Sequence, residues 1–521
     1  MNLRAEPAFM PRLLLPILAV TLLLSLFRLG SVPLFDVDEA VFSEAAREMV
    51  EGGDWITPTY NGVNRYDKPI LFYWLMATSY RIFGVNEFGA RFPSALAGVL
   101  LILCLFLFSL RSAGREEALH AAVVAALSLY FLAYSRAAVT DMALTLFIGL
   151  SLFSFYRWSG GEDGKKRHLY GFYLFSSLAF LTKGLIGILF PFSIAIIYTL
   201  ATEGFGALKR IISPAGAALF IVVSGPWYGA QLIINGREFV ELFFIKHHFT
   251  RFTGVISGHS GPFYYYIPVL LAGLFPWAAY LPSGVGRVFA AKERVHIFAF
   301  VWFSVVFLFF SLSTTKLPNY ILPALPAASL LIAAGMTMED TAWDRVSDSI
   351  LALLAGLLCA GSVIARPYVA RLGIIDTDWL TAISGLMLLM AVVSLCSALR
   401  GKRRFDILSG LMLIFLLAVL VKGLPLAGDH LQGSLHKYSL YARENLSSEG
   451  RLAAYAINNP SVVFYSRRRV LTPGDPDALR ALAAEPGRVI VITRAKESGT
   501  LTSLGFTILE KDDRYAILER K

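Results

Sequence analysis

The stretch Phe35–Phe42, FDVDEAVF, places Asp36, Asp38 and Glu39 within four positions, directly after an apolar run. Carboxylates so close together can take protons, orient hydroxyls or pair with cations. Four further polar stretches interrupt an otherwise apolar chain. NRYDKP (64–69) carries Tyr66, Asp67 and Lys68, and SRAAVTD (135–141) ends at Asp141. KHHFTRF (246–252) carries His247, His248 and Arg251, and TTKLPNY (314–320) carries Lys316 and Tyr320. Lysine and arginine bind phosphate through charge-assisted hydrogen bonds. Brought to one cavity, these groups suit a substrate with an anionic head and a lipid tail. The cations would hold the head, the carboxylates would handle protons or sugar hydroxyls, and aromatic helices would hold the tail.

Each stretch also has a structural reading. Asp38 and Asp141 stand where helix N-caps would stand. Lys68 and Lys316 could snorkel to lipid headgroups, as lysine near a helix end usually does. His247 and His248 are adjacent, so they do not share a helix face, and exposed loop histidines are more often solvated than ligands. One carboxylate, Asp67, with one or two of these imidazoles also has the donor types of a zinc site, so a structural Zn²⁺ joining two loops is a second expectation.

The elements that position these residues follow from composition. The chain has 521 residues, 56% of them hydrophobic and only 16% charged. A soluble protein of this length needs far more charged surface, so the composition describes a polytopic membrane protein. The net charge of +10 fits basic cytoplasmic loops beside anionic lipid, with no nucleic acid implied. Cys104, Cys359 and Cys396 lie inside apolar runs and imply no disulfide framework.

A span needs roughly 20 apolar residues, and about thirteen such runs occur. Their cores are 12–29, 89–110, 117–134, 138–156, 169–182, 184–202, 213–235, 264–282, 295–312, 318–336, 348–365, 379–399 and 407–424. The first reads as an uncleaved helix, because it is long enough to span and has no clear small-residue cleavage site. The runs 169–182 and 184–202 are separated only by TKG. Alternate loops hold the basic clusters RSAGRE, RWSGGEDGKKRH, LKR, GRVFAAKER and RGKRR, which places them and the N-terminus in the cytoplasm. An odd number of spans then puts the C-terminus outside. All five polar stretches fall on that outer side.

Residues 1–425 thus read as a transmembrane domain with two long outer loops, about 30–88 and 236–263. In the first loop, DEAVFSEAAREMVEGGDW reads as an amphipathic helix from Asp38 to Gly52-Gly53. DKPILFYWLMATSYRIFG reads as a short aromatic helix in the membrane interface, starting at Pro69 and stopping at Gly84. Residues 426–521 read as a small α/β domain with strands LAAYAI, SVVFYS, RVIVIT, FTILEK and RYAILER, and a helix in PDALRALAAEPG.

The chain resembles the bacterial branch of the C-type (GT-C) glycosyltransferases related to protein O-mannosyltransferases, and most of all the aminoarabinose transferases of lipid A. The resemblance rests on Asp36–Leu75, Ser135–Leu144 (SRAAVTDMAL), Thr182–Gly184 (TKG) and Thr314–Ala327 (TTKLPNYILPALPA). It implies a polyprenyl-phosphate-linked sugar as donor, a lipid or glycan acceptor, inverting transfer on the outer face of the bacterial inner membrane, and no cofactor for the chemistry. It implies that Asp38 is the first-loop catalytic aspartate and Asp141 the second acidic residue. By the same resemblance Lys68 meets the lipid phosphate, Asp67 stands in place of a glutamate, and Tyr320 lies near the cavity. Arg251 or Lys316 would assist at the phosphate, Tyr66 and Glu39 would line the substrate and phosphate site, and Glu39 would also orient the loop or pair with a cation. Val41 and Phe42 stand where the aminoarabinose enzymes carry an arginine and a tyrosine, so the resemblance implies the reaction class rather than the sugar. A monomer in contact with membrane lipids is expected.

The rival reading is a transporter or flippase of a lipid-linked sugar. Transporters carry repeated halves and mid-membrane breaks. This chain shows no convincing internal repeat, and its charges sit at outer helix ends.

Overall fold

The computed structural model describes residues 10–160, 166–243, 260–337, 342–372, 377–400, 405–484 and 486–520. It comprises two compact units, one of residues 1–27, 66–72 and 93–421, the other of residues 28–65, 73–92 and 422–521.

The first unit is helical, and each of the thirteen apolar runs lies on helix. Among the described residues nine helices are long and apolar enough to cross a membrane, or eleven when two bent pairs each count as one span. The two remaining runs differ from expectation. The apolar part of the first helix, Leu14–Leu26, is short, and Lys166–Lys183 is too polar to meet the same standard. The protein is a multi-pass membrane protein.

Two of the expected straight spans are broken. Arg115–Ala126 and Leu129–Ser135 meet at 59°, where Ser128 Oγ accepts the Phe131 N–H at 3.0 Å and caps the second piece. Tyr266–Gly273 and Trp277–Ala291 meet at 114°, across a break that contains Pro276, which has no N–H to offer a helix. Helix hydroxyls bond back to carbonyls four residues earlier, as Thr21 does to Ile17 and Ser109 to Leu105. An apolar surround offers them no other partner. The TKG break is a true turn. Gly184 at φ 71 ends Lys166–Lys183, and the next helix returns so closely that a Cβ on Gly187 would stand 2.2 Å from the Ala179 carbonyl carbon.

The second unit joins most of the first long loop to the C-terminal residues. The helix Asp38–Gly52 buries Val41, Phe42, Ala45 and Met49, and stops at Gly53, whose left-handed φ of 77 aims its N–H at the Met49 carbonyl. A ribbon follows, β1 (Thr59–Tyr60) antiparallel to β2 (Val63–Asn64), and then the aromatic helix Leu71–Phe83. After the long helical segment Phe405–Asn445 comes a five-stranded sheet. Its strands are β3 (Arg451–Tyr455), β4 (Val470–Leu471), β5 (Val489–Arg494), β6 (Thr507–Lys511) and β7 (Tyr515–Arg520), in the order β4-β3-β5-β7-β6. β4, β3 and β5 run parallel, and β7 and β6 are antiparallel.

Strand side chains alternate between faces, and both faces are covered. Leu452, Ala454, Ile490 and Ile492 pack with Leu435, Tyr438 and Ala442 of the long helix and with Val462 and Val463. Ala453, Tyr455, Val489 and Val491 pack with Leu479, Leu482 and Leu501. The expected strand SVVFYS is instead the helix Ser461–Ser466, opened by Pro460 and closed by Arg467 at φ 52. All six of its residues are buried. A run buried on every side carries no periodicity with which to tell strand from helix. The two-residue strand β4 was not expected, being too short to show an alternation.

Candidate active site

In the second unit the three first-loop carboxylates have separate fates. Glu39 is buried and forms a two-pronged pair with Arg91, Oε1 to Nε and Oε2 to Nη2, both 2.9 Å. Arg91 spends its remaining donors on the carbonyls of Leu29, Val32 and Pro33. Glu39 Oε2 also accepts the Phe35 N–H at 2.9 Å. A fixed guanidinium fork of this kind sets the path of the loop. Glu39 is therefore committed to Arg91 and to the backbone, which is the cation-pairing role expected of it and leaves it no free edge for phosphate.

Asp36 accepts from Ser461 N (2.8 Å), Ser461 Oγ (2.6 Å) and Asn459 Nδ2 (2.9 Å). Burial pushes its carboxyl above the usual range, against the pull of the Ser461, Asn459 and Gln432 hydrogen bonds. Asp38 differs from both. It is exposed, it lies in the first turn of its helix, and it makes no hydrogen bond or ion pair with the described residues of its unit. The N-cap reading does not hold, since Asp38 is the first helical residue and caps nothing. Its charge still complements the helix N-terminus.

In the first unit Asp141 opens the helix Asp141–Ser159 and is buried. It does not cap that helix either. Its Oδ1 accepts from Lys183 Nζ at 2.6 Å and from Asn319 Nδ2 at 3.1 Å. Lys183 Nζ also lies 5.4 Å from the centre of the Tyr320 ring, within cation–π range. The expected residues Asp141 and Tyr320 are thus brought together, and Lys183 and Asn319 complete the group. Neither was singled out by sequence reasoning. The signal was present in TKG, where a lysine between two apolar runs must find a partner.

Lys316 lies elsewhere in its chemistry. Its three ammonium hydrogens face the carbonyls of Phe310 (3.1 Å), Ser311 (2.8 Å) and Ser313 (2.7 Å), closing the C-terminus of the helix Arg294–Leu312. It neither snorkels nor offers a hydrogen to phosphate, because the last carbonyls of a helix and its dipole already use the charge. Tyr130 and Tyr266 hold the following loop through the Pro318 and Leu317 carbonyls, at 3.0 and 3.2 Å. That fixes where Asn319 and Tyr320 point.

Tyr66 is buried, donates to Glu238 Oε2 at 3.2 Å, and packs edge-on against Phe239. It anchors the segment that carries Asp67 and Lys68, both half-buried, with Lys68 Nζ 3.1 Å from the Asp67 carbonyl oxygen. His247, His248 and Arg251 lie outside the described residues. Among the described residues no cluster of His, Cys, Asp and Glu could hold a metal.

Residues 67–228 match the family model for dolichyl-phosphate-mannose-protein mannosyltransferase. An undecaprenyl phosphate-alpha-4-amino-4-deoxy-L-arabinose arabinosyl transferase of Proteus mirabilis is 30% identical over 399 residues, which is 72% of this chain and 70% of that protein. The chain belongs to this arabinosyl transferase family. A family member of Pseudomonas fluorescens is 32% identical over 365 residues, 68% of this chain and 61% of its own length. The chain spans 58–62% of the length of the first curated relatives it matches. The family fold extends over the whole chain. ArnT from Cupriavidus metallidurans bound to undecaprenyl phosphate superposes with a TM-score of 0.81 at 22% identity, covering 99% of this chain and 98% of that one. The GT-C architecture, many apolar helices with a small C-terminal sheet domain, is therefore the fold of this protein. Val41 and Phe42, which the resemblance sets in place of an arginine and a tyrosine, are both buried, and the Phe42 ring packs 5.4 Å from that of Tyr73.

Proposed function

We propose that the protein is an inverting glycosyltransferase that moves a sugar from a polyprenyl-phosphate donor to a lipid A-like or other envelope acceptor. The observation that carries the residue assignment is the exposed, uncommitted Asp38 beside two carboxylates bound by their neighbours. Family membership supports the reaction class, since the relatives are named for undecaprenyl phosphate and an arabinosyl group.

In the proposed step Asp38 takes the proton of an acceptor hydroxyl. The acceptor oxygen attacks the anomeric carbon from the face opposite the phosphate. The carbon–oxygen bond to phosphate breaks, and its electron pair leaves on the polyprenyl phosphate. Lys68 stabilises that growing charge, and Arg251 assists. An acceptor that is itself a phosphate is already anionic, and Asp38 then orients it without taking a proton. Asp141, held by Lys183 and Asn319, keeps a cation and a carboxylate in fixed register beside Tyr320. No cofactor enters these steps. A structural Zn²⁺ on Asp67, His247 and His248 would tie two loops together without taking part in the transfer.

The purified full chain, incubated with lipid extracts and a panel of polyprenyl-phospho-sugars, should yield an acceptor heavier by one sugar residue and free polyprenyl phosphate by mass spectrometry. Movement of a lipid-linked sugar across vesicles with no covalent product would overturn the transferase reading. The site lies on the periplasmic face of the inner membrane in this reading, with the C-terminus on the same side. A reporter fused after Lys521 should be active only in the periplasm, and activity in the cytoplasm alone would refute that placement.

A further inference from the structure

We propose that the small C-terminal α/β domain is a positioning element for the reaction, and that Ser461, Asn459, Gln432 and Tyr465 set the place of Asp38 by gripping the loop immediately before it. The inference rests on the reading of Asp38 as the carboxylate of the reaction centre.

The loop from Leu34 to Val37 leads directly into the helix whose first residue is Asp38. The Leu34 N–H donates to the Tyr465 hydroxyl at 2.7 Å, and that hydroxyl donates in turn to Glu87 Oε1 at 2.9 Å. Ser461, one helical turn before Tyr465, gives both its backbone N–H and its hydroxyl to Asp36. Asn459 gives a third hydrogen bond. Gln432, with its amide turned so that both ends are satisfied, donates to Asp36 Oδ2 and accepts from Asp36 N, each at 3.0 Å. Ser461 and Tyr465 share one face of the short helix Ser461–Ser466, as residues four apart do.

Side chains from two separate C-terminal elements therefore converge on two loop residues. Ser461, Asn459 and Gln432 donate to Asp36, Gln432 and Tyr465 accept the Asp36 and Leu34 N–H groups, and none of these bonds goes to Asp38. Asp36 is two residues from Asp38, so a shift of its carboxylate moves the start of the helix. A misplacement of about 1 Å at a reacting group can cost on the order of 100-fold in rate. The arrangement gives the C-terminal domain a role that its sheet alone does not explain. Its one helix between β3 and β4 is turned toward the first loop, with Val462 and Val463 keyed into the sheet and Ser461 and Tyr465 into the loop.

The test uses the full chain. Ser461→Ala should lower kcat about 10- to 100-fold with the donor KM changed less than about 3-fold, and Ser461→Thr should restore most of the loss. Asp36→Asn should lower kcat likewise, and adding Asn459→Asp, which returns a carboxylate to the pair, should recover part of it. Amide hydrogen exchange should rise in the first turn of Asp38–Gly52 in Ser461→Ala and fall back in Ser461→Thr. Full kcat in Ser461→Ala and Asp36→Asn, or a rate loss with first-turn exchange unchanged, would overturn the positioning role. A wild-type chain that transfers no sugar would defeat the transferase reading instead. Exchange then decides the positioning alone, supporting it if the first turn loosens in Ser461→Ala and refuting it if the turn does not.

Discussion

Asp38→Asn should lower the rate of sugar transfer by about 100- to 10,000-fold, the range lost with a positioned general base. The substitution keeps the side-chain shape and removes the charge. Because Asp38 is exposed and bound to nothing in its unit, folding should not suffer, and thermal unfolding in detergent should match wild type within about 0.5 kcal/mol, as for a surface change. Glu39→Gln should behave in the opposite way. It leaves the buried Arg91 guanidinium without its carboxylate, and breaking one side of a buried pair costs about 3–5 kcal/mol. The two neighbouring residues thus separate chemistry from architecture. Near-full transfer by Asp38→Asn in assays with saturating donor would remove Asp38 from the reaction centre. If Glu39→Gln then proved stable but inactive, the assignment within this stretch would pass to Glu39.

Lys183→Ala should lose both stability and activity, and the two losses should be separable. Removing the ammonium leaves the buried Asp141 carboxylate with Asn319 as its remaining side-chain donor among the described residues, at a cost of about 3–5 kcal/mol. The double variant Asp141→Asn with Lys183→Ala removes both charges and should regain most of that stability. Its transfer rate should stay depressed by about 100-fold, the order of loss when a group at the reaction centre is displaced by about 1 Å. A double variant that regained the rate along with the stability would reduce the pair to a structural bridge between the helices that begin at Asp141 and end at Lys183.

Much of this was legible before any coordinates. The thirteen apolar runs all became helix, because roughly 20 apolar residues in sequence have few other folds open to them. The first-loop helices ended where Gly53 and Gly84 stand, since both take the left-handed conformation that other residues avoid. The strands β3, β5, β6 and β7 were visible as short runs rich in β-branched and aliphatic residues between turn residues, a local pattern with a local cause.

What escaped had non-local causes. SVVFYS became a helix because the sheet it covers is built from residues on either side of it. The partners of the polar residues were the least legible of all. Asp36, Asp38 and Glu39 are chemically near-equal in sequence, and only tertiary structure gave Glu39 to Arg91 and Asp36 to Ser461, 425 positions away, leaving Asp38 exposed. Lys316 and Lys183 likewise look alike as outer lysines, yet one closes a helix on three carbonyls and the other meets Asp141. Composition and period determine that a chain folds into membrane helices and a small sheet domain, because burial of apolar surface depends on residue type and local spacing alone. A charge acquires its role from the few ångströms around it, and those are filled by residues that the sequence keeps far apart.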